Sequence, residues 1–126
     1  MQDGNVLIIA GSDDAAEIGG RYLTCELYNP ETNSFKLLKE KLTDSRFKIT
    51  NAADITPDGK VIIAGDGKYT EIFDNISKDF FTVSGSLGDS WMYPTATTLQ
   101  NGNLLVCGGY NRNMQPTNKA WIYKSK

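Results

Sequence analysis

The sequence predicts an all-β fold built from repeated antiparallel sheets, and three observations support this prediction. A turn glycine followed by an apolar run occurs three times, at Gly4, Gly59 and Gly102, with spacings of 55 and 43 residues. Each run is followed by a segment that ends in an aromatic residue, and no stretch has the apolar period of a helix. Of the 126 residues, 40% are hydrophobic and 22% are charged, which is typical of a globular domain.

The first predicted feature of each repeat is a tight turn into a buried strand. The turns are Asp-Gly or Asn-Gly, the strongest short hairpin signal, because both central residues must accept positive φ. The runs that follow read VLIIAG, KVIIAG and NLLVCG, with an alignment that is ambiguous by one residue. A continuous apolar run of this length predicts a strand in a sheet that is covered on both faces.

The remaining features of each repeat predict two further strands. The aromatic residues after the three runs are Tyr28, Phe73 and Tyr123, and a second aromatic follows the first two after seven residues, at Phe35 and Phe80. With the Thr- and Ala-rich segment before each turn, a full repeat has four extended segments. Four-stranded antiparallel sheets that pack face to face around an axis are the blades of a β-propeller.

The strand count predicts an incomplete propeller. The chain supplies strands two to four of one blade, all four of the next and strands one to three of a third, or about two and a half blades. We expect a single partial domain with pieces at approximately residues 1–43, 44–87 and 88–126. Because propellers close with four to eight blades, we expect the other blades in a longer chain, with self-association as the less favoured alternative. Alone, the chain should aggregate or unfold, because its end blades expose apolar faces.

Two segments resemble the kelch repeat, in particular that of bacterial kelch proteins with a galactose-oxidase-like propeller. They are TATTLQNGNLLVCGG at residues 95–109 and CELYNPETNSF at residues 25–35, and the resemblance extends over essentially the whole chain. The double glycine of the pattern is intact only at residues 108–109. The arginine that the pattern places about eleven residues before the turn glycine falls on Lys48 and Trp91. These departures leave the predicted fold unchanged.

The resemblance implies that function lies in the loops between strands two and three and in those between blades. The first set comprises residues 12–22, 66–68 and 110–118, and the second comprises residues 43–47 and 88–93. The candidate ligand-binding residues in these loops are Arg46, Trp91, Tyr93, Tyr110, Asn111 and Arg112. Arg, Trp and Tyr are enriched at binding hot spots, and aromatic residues with Asn and Arg suit a sugar face or a peptide. The alternatives are packing between blades for Trp91 and Tyr93, and a solvated surface for Arg112. Trp121, on a strand, is expected in the core.

The composition argues against several kinds of chemistry. The sequence contains no His, which excludes a Ser-His-Asp triad and metal sites that depend on imidazole. Cys25 and Cys107 lie 82 positions apart in apolar strands, as expected for small buried side chains. We therefore expect no catalytic residue, no metal and no cofactor in this chain.

The resulting functional hypothesis is a non-catalytic binding module whose propeller loops contact a protein or a glycan. The alternative is a segment of a propeller enzyme, galactose-oxidase-like or sialidase-like, whose catalytic residues lie outside these 126 residues. The net charge of −2 and the scattered basic residues argue against a nucleic-acid partner. No apolar run reaches the roughly 18 residues of a membrane span.

Overall fold

The computed structural model describes residues 1–15 and 19–125, which form three antiparallel sheets. The first sheet contains β1 (Val6–Ile9), β2 (Cys25–Asn29) and β3 (Ser34–Leu37). The second contains β4 (Ala53–Ile55), β5 (Val61–Ile63), β6 (Glu71–Phe73) and β7 (Phe80–Thr82), and the third contains β8 (Thr95–Thr98), β9 (Leu104–Cys107) and β10 (Ala120–Tyr123). This three-four-three order confirms the predicted partial propeller, which is not closed. Within the same residues there is no helix with the length and apolar character needed to cross a bilayer.

The pairing register resolves how the three repeats align. The equivalent cross-strand pairs are Val6 with Tyr28, Val61 with Phe73 and Leu104 with Tyr123. The apolar runs therefore align on Val6, Val61 and Leu104, one residue away from the alignment that begins at Lys60 and Asn103. In this register the second glycine of the repeat pattern corresponds to Gly11, Asp66 and Gly109.

The apolar core lies on both faces of the middle sheet. Val61 and Ile63 of β5 belong to a buried cluster with Cys25 and Leu27 of the first sheet. Their neighbour Ile62 belongs to a second cluster with residues of β8 and β9. Because successive side chains of a strand point to opposite faces, the continuous apolar run of β5 fills both clusters. Among the three sheets of residues 1–15 and 19–125, only the middle one has an apolar cluster on each face, and β1 alternates between exposed and half-buried residues.

Pairs of aromatic rings join β2 to β3 in the first sheet and β6 to β7 in the middle sheet. The rings of Tyr28 and Phe35 have centroids 4.8 Å apart, and those of Phe73 and Phe80 are 5.0 Å apart. Each pair is directly opposite in the strand register. Such ring pairs contribute about 0.5–1.5 kcal/mol beyond the burial of their area. The seven-residue aromatic spacing in the sequence is thus the spacing of a hairpin in which the two rings meet.

Candidate functional site

Loops of both sets come together at one end of the sheets and line an open polar cavity. The cavity has a volume of about 390 Å³. Four loop segments line it: the two connections between sheets, the loop that follows β5 and the loop that follows β9. The lining residues are Asp44, Ser45, Asp66, Gly67, Lys68, Ser86, Gly88, Asp89, Ser90 and Arg112. The cavity is thus lined by charged, hydroxyl and glycine residues. It lies among the loops that the resemblance to kelch repeats predicted as functional.

Asp66 organises this end of the molecule. Its buried carboxylate accepts hydrogen bonds from the Arg21 guanidinium (2.9 Å to Oδ2), the Phe47 backbone N–H (2.8 Å) and the Ser90 hydroxyl (2.9 Å). The Nη2 atom of Arg112 lies 4.0 Å from Oδ1. The carboxylate therefore ties the loop of the first sheet to both inter-sheet connections.

Sequence reasoning missed the role of Asp66 because it treated this position as a degenerate glycine of the repeat. The residue has a φ of +40°, in the left-handed region that Asp tolerates better than most other residues. The sequence feature that could have revealed this role is an acidic residue at a repeat position where glycine is expected and φ is positive. Such a substitution retains the turn and adds a hydrogen-bond acceptor to it.

Arg46 lies in the interior, at 0% exposure, and does not line the cavity. Its Nη2 donates to the Glu71 carboxylate at 2.7 Å and to the Tyr69 carbonyl at 2.7 Å, and its Nη1 donates to the Gly65 carbonyl. A Cβ at Gly67 would lie 2.8 Å from the guanidinium carbon, so a larger residue there would require the Arg46 guanidinium to move from its hydrogen bonds. Arg46 therefore holds the loop after β5 in place from a buried position.

The structure also corrects which residue occupies the arginine position of the repeat. The Arg46 carbonyl accepts the Gly11 N–H (3.2 Å), and the Trp91 carbonyl accepts the N–H of Asp66 (2.7 Å). Since Gly11 and Asp66 are equivalent, Arg46 corresponds to Trp91, and the prediction that Lys48 holds this position was wrong. The reason is a longer segment before β4 than before β8, with a left-handed residue at Asn51 (φ +63°).

Trp91 is buried as well, and it takes the place of the arginine in the third sheet. Its ring centroid lies 5.9 Å from that of Trp121, and its indole N–H donates to the Leu87 carbonyl at 3.0 Å. Trp121 occupies the register position of Glu71 and packs against the second apolar cluster. The predicted core position of Trp121 is confirmed only in part, because the side chain packs against this cluster but is half-buried.

Tyr93 and Tyr110 form an aromatic pair that reaches the surface, with ring centroids 5.9 Å apart. Tyr93 is 49% exposed and has a φ of +52°, and its N–H donates to the Lys48 carbonyl at 2.7 Å. The Lys48 ammonium lies 4.9 Å from the Phe47 ring centroid and 6.0 Å from that of Tyr110, distances at which cations are attracted to ring faces. Two tyrosine rings and a cation therefore stand together at the loop end.

Asn111 and Arg112 follow directly in the same loop but differ in role. The Asn111 side-chain oxygen accepts the backbone N–H groups of Asn113 (3.0 Å) and Gln115 (3.1 Å), and its amide donates to Asp89 (3.2 Å). Asn111 therefore shapes the loop. The side chain of Arg112 is 63% exposed and lines the cavity. Ligand contact remains a prediction for all six candidate residues, and residues 16–18 of the predicted loop at 12–22 lie outside the described residues.

The cysteines have no special chemistry in this arrangement. Cys25 is buried in the first apolar cluster, and desolvation raises the pKa of its thiol to about 11. The thiol is therefore protonated at neutral pH and a poor nucleophile. Both cysteines are free thiols, and Cys25 is buried as predicted, whereas Cys107 is only half-buried.

Comparison with known proteins identifies the class of fold. No family model and no curated protein matches the chain. A solved structure of a fungal alcohol oxidase of the AA5 family, in complex with copper, is similar to it, with a TM-score of 0.66 and 18% identity. The match covers 96% of this chain and 26% of that one. The fold is that of part of a kelch-type, galactose-oxidase-like propeller, and the chain spans about a quarter of the oxidase chain.

The described residues of this chain do not provide a set of donor atoms that suits copper. The sequence has no His, and across residues 1–15 and 19–125 no three Cys, Asp or Glu side chains come together as metal ligands. Cu(II) sites in proteins favour imidazole nitrogen donors. These residues therefore do not fit a copper centre.

Proposed function

We propose that the chain is a non-catalytic binding segment of a kelch propeller that contacts a protein or a glycan through its loop end. The observation that carries the proposal is the polar cavity that Arg112 lines, in the same group of loops that holds the Tyr93–Tyr110 pair. A concave space into which several charged and hydroxyl side chains converge is one feature of a ligand site. The left-handed backbone at Tyr93 (φ +52°) and Lys48 (φ +55°) supports the proposal, since such residues cluster at ligand sites.

The chemistry of the cavity favours a hydroxyl-rich ligand. Arg112 and Lys68 supply donors, and Asp44 and Asp89 supply acceptors around the same 390 Å³ space. A sugar can exchange hydrogen bonds with both kinds of group while one of its apolar faces lies on a tyrosine ring. A protein partner would instead insert a polar loop into the cavity and cover the tyrosine pair.

The test is a binding screen of the full chain against an array of neutral and acidic oligosaccharides and against a displayed peptide library. We expect a specific ligand from one of the two screens. Substitutions Tyr93→Ala and Arg112→Ala should each weaken its binding at least about tenfold, as truncation of hot-spot residues does. The matched control is Phe35→Ala, an exposed aromatic residue on β3 that lies in the first sheet.

Two outcomes would refute the proposed function. One is that neither screen yields a ligand that the folded chain binds reproducibly. The other is that a ligand binds equally well to the Tyr93→Ala, Arg112→Ala and Phe35→Ala variants, because the loop end would then be irrelevant to binding.

The alternative function is a segment of a propeller enzyme whose catalytic residues lie elsewhere. The likeness to a copper-containing alcohol oxidase is the observation in its favour. An oxidase assay of the copper-loaded chain with primary alcohols separates the two candidates. The binding proposal predicts no turnover above that of free copper, and turnover that depends on residues of the loop end would support the enzyme instead.

A further inference from the structure

The carboxylates that line the polar cavity already accept hydrogen bonds from the protein. Asp66 is paired with Arg21, whose Nη1 atom lies 2.9 Å from its Oδ2 atom. Asp44 accepts the backbone N–H of Lys68 at 2.8 Å, and Asp89 accepts the backbone N–H of the next residue at 2.7 Å. Because Arg21 compensates the charge of Asp66, the negative charges that remain at the cavity are those of Asp44 and Asp89.

The two cationic side chains of the cavity make fewer contacts than the carboxylates do. The Nη2 atom of Arg112 lies 4.0 Å from Oδ1 of Asp66, which is beyond hydrogen-bond distance. Lys68 is exposed, and its ammonium lies 5.2 Å from the centroid of the Tyr69 ring. Within the residues that the structure describes, neither cationic side chain donates a hydrogen bond to a carboxylate or a carbonyl. Their N–H groups are therefore available to a ligand.

This arrangement of charges restricts the chemistry of the ligand. A carboxylate on the ligand would accept charge-assisted hydrogen bonds from Arg112 and Lys68, which are stronger than those between neutral groups. Several carboxylates close together would be repelled by Asp44 and Asp89. An ionised carboxylate has acceptor sites for more than one hydrogen bond, so Asp44 and Asp89 can still accept ligand hydroxyl groups. A ligand with one carboxylate among several hydroxyl groups meets all of these conditions.

We propose that the polar cavity binds a sugar unit that carries a single carboxylate, such as one hexuronic acid of an oligosaccharide. This inference rests on the proposed binding function and names its ligand class. Arg112 and Lys68 hold the carboxylate, and the ring hydroxyl groups donate to Asp44 and Asp89. The volume of about 390 Å³ is near the lower end of the range of about 300–1,000 Å³ for ligand pockets, as a ligand of one or two sugar units requires.

The test compares disaccharides that contain one glucuronic or galacturonic acid with the methyl esters of the same disaccharides. The ester retains the hydroxyl groups and removes the charge. Isothermal titration calorimetry measures the affinity of the full chain for each member of a pair. We expect the acid of at least one pair to bind about tenfold more tightly than its ester, the scale of one charge-assisted hydrogen bond. Added salt should reduce this difference. Equal affinities in every pair would overturn the proposal.

Variants of the chain locate the groups that recognise the carboxylate. Arg112→Gln and Lys68→Gln should each weaken the acid about tenfold more than the ester, whereas Lys68→Arg keeps the charge and should keep the preference. The matched control is Lys36→Gln, an exposed cation on β3 of the first sheet, which should change neither affinity. A preference for the acid that survives both Gln variants would overturn the proposal, because the carboxylate would then bind elsewhere.

The outcomes separate this inference from the proposed function. A neutral oligosaccharide that binds as tightly as the acids, and that loses affinity on Tyr93→Ala, would refute the acidic ligand and support the binding module. An acidic peptide that binds through Arg112 while no sugar binds would do the same. The absence of any ligand in the oligosaccharide and peptide screens would refute both.

Discussion

The middle and third sheets use different side-chain pairs at the contact between the loop before the sheet and its third strand. In the middle sheet the buried Arg46 reaches across to Glu71, with Nη2 and Oε2 2.7 Å apart. In the third sheet the equivalent residues are Trp91 and Trp121, with ring centroids 5.9 Å apart. The middle sheet therefore joins the loop before it to its third strand by an ion pair, and the third sheet does so by two indole rings tilted at 40° to each other.

The difference shows that this position of the repeat requires a matched pair and not a particular residue. A buried ion pair and a well-packed apolar pair can contribute similarly to stability, because the attraction between the charges is offset by their loss of water. A single charge without its partner is far less favourable. The two positions must therefore change together, and the third sheet has changed both.

The largest expected effect comes from breaking the ion pair on one side. Arg46→Met leaves Glu71 buried without a counter-charge and should reduce the free energy of unfolding by about 3–5 kcal/mol. The double variant Arg46→Met/Glu71→Met should recover a substantial part of this loss. Urea unfolding followed by Trp fluorescence measures both, with limited proteolysis as the readout if the single variant does not fold. A double variant that is less stable than Arg46→Met would contradict the matched-pair interpretation.

A smaller effect is expected from the third sheet. Trp91→Phe retains a ring against Trp121 but removes the N–H that donates to the Leu87 carbonyl at 3.0 Å. The loss of one neutral hydrogen bond should lower the free energy of unfolding by about 1 kcal/mol, well below the loss for Arg46→Met. The same urea titration compares the two sheets directly, and equal losses would mean that the pairs do not differ in the way proposed.

The smallest effect concerns the contact between the two sheets and depends on pH. Burial raises the pKa of Asp54, but hydrogen bonds from the backbone N–H groups of Thr98 (2.6 Å) and Ile55 (2.8 Å) outweigh it, and the pKa lies below its ordinary value of 3.8. A lowered pKa in the folded state stabilises the protein above pH 3.8, and this contribution is lost as the pH falls through the folded-state pKa.

Asp54→Asn is the variant that isolates the contribution of the ionised Asp54 carboxylate to stability. It should reduce stability slightly at pH 7 and reduce the loss of stability between pH 5 and pH 2, measured as the midpoint of urea unfolding at each pH. An unchanged pH profile would show that other carboxylates govern acid unfolding.

Local sequence signals predicted most of the fold and part of the candidate site. The strands, turns and aromatic hairpins depend on neighbouring residues, so their periodicity is visible in the chain. The sequence also placed Tyr93 and Arg112 in loops, and it left open whether Tyr93 packs between blades. Arg46 and Asp66 could not be placed in this way, because their partners Glu71 and Arg21 lie 25 and 45 residues away. A longer segment before β4 also displaced the arginine from its expected spacing.

The sequence by itself determined the repeat, the strand order and the aromatic pairs, because apolar periodicity and turn chemistry act over a few residues. Only the tertiary structure decided that Arg46 and Trp91 are interior equivalents and that Asp66 joins three loops. Those features depend on which side chains meet across sheets. Burial and charge pairing between distant segments decide such contacts, and they leave little trace in local spacing.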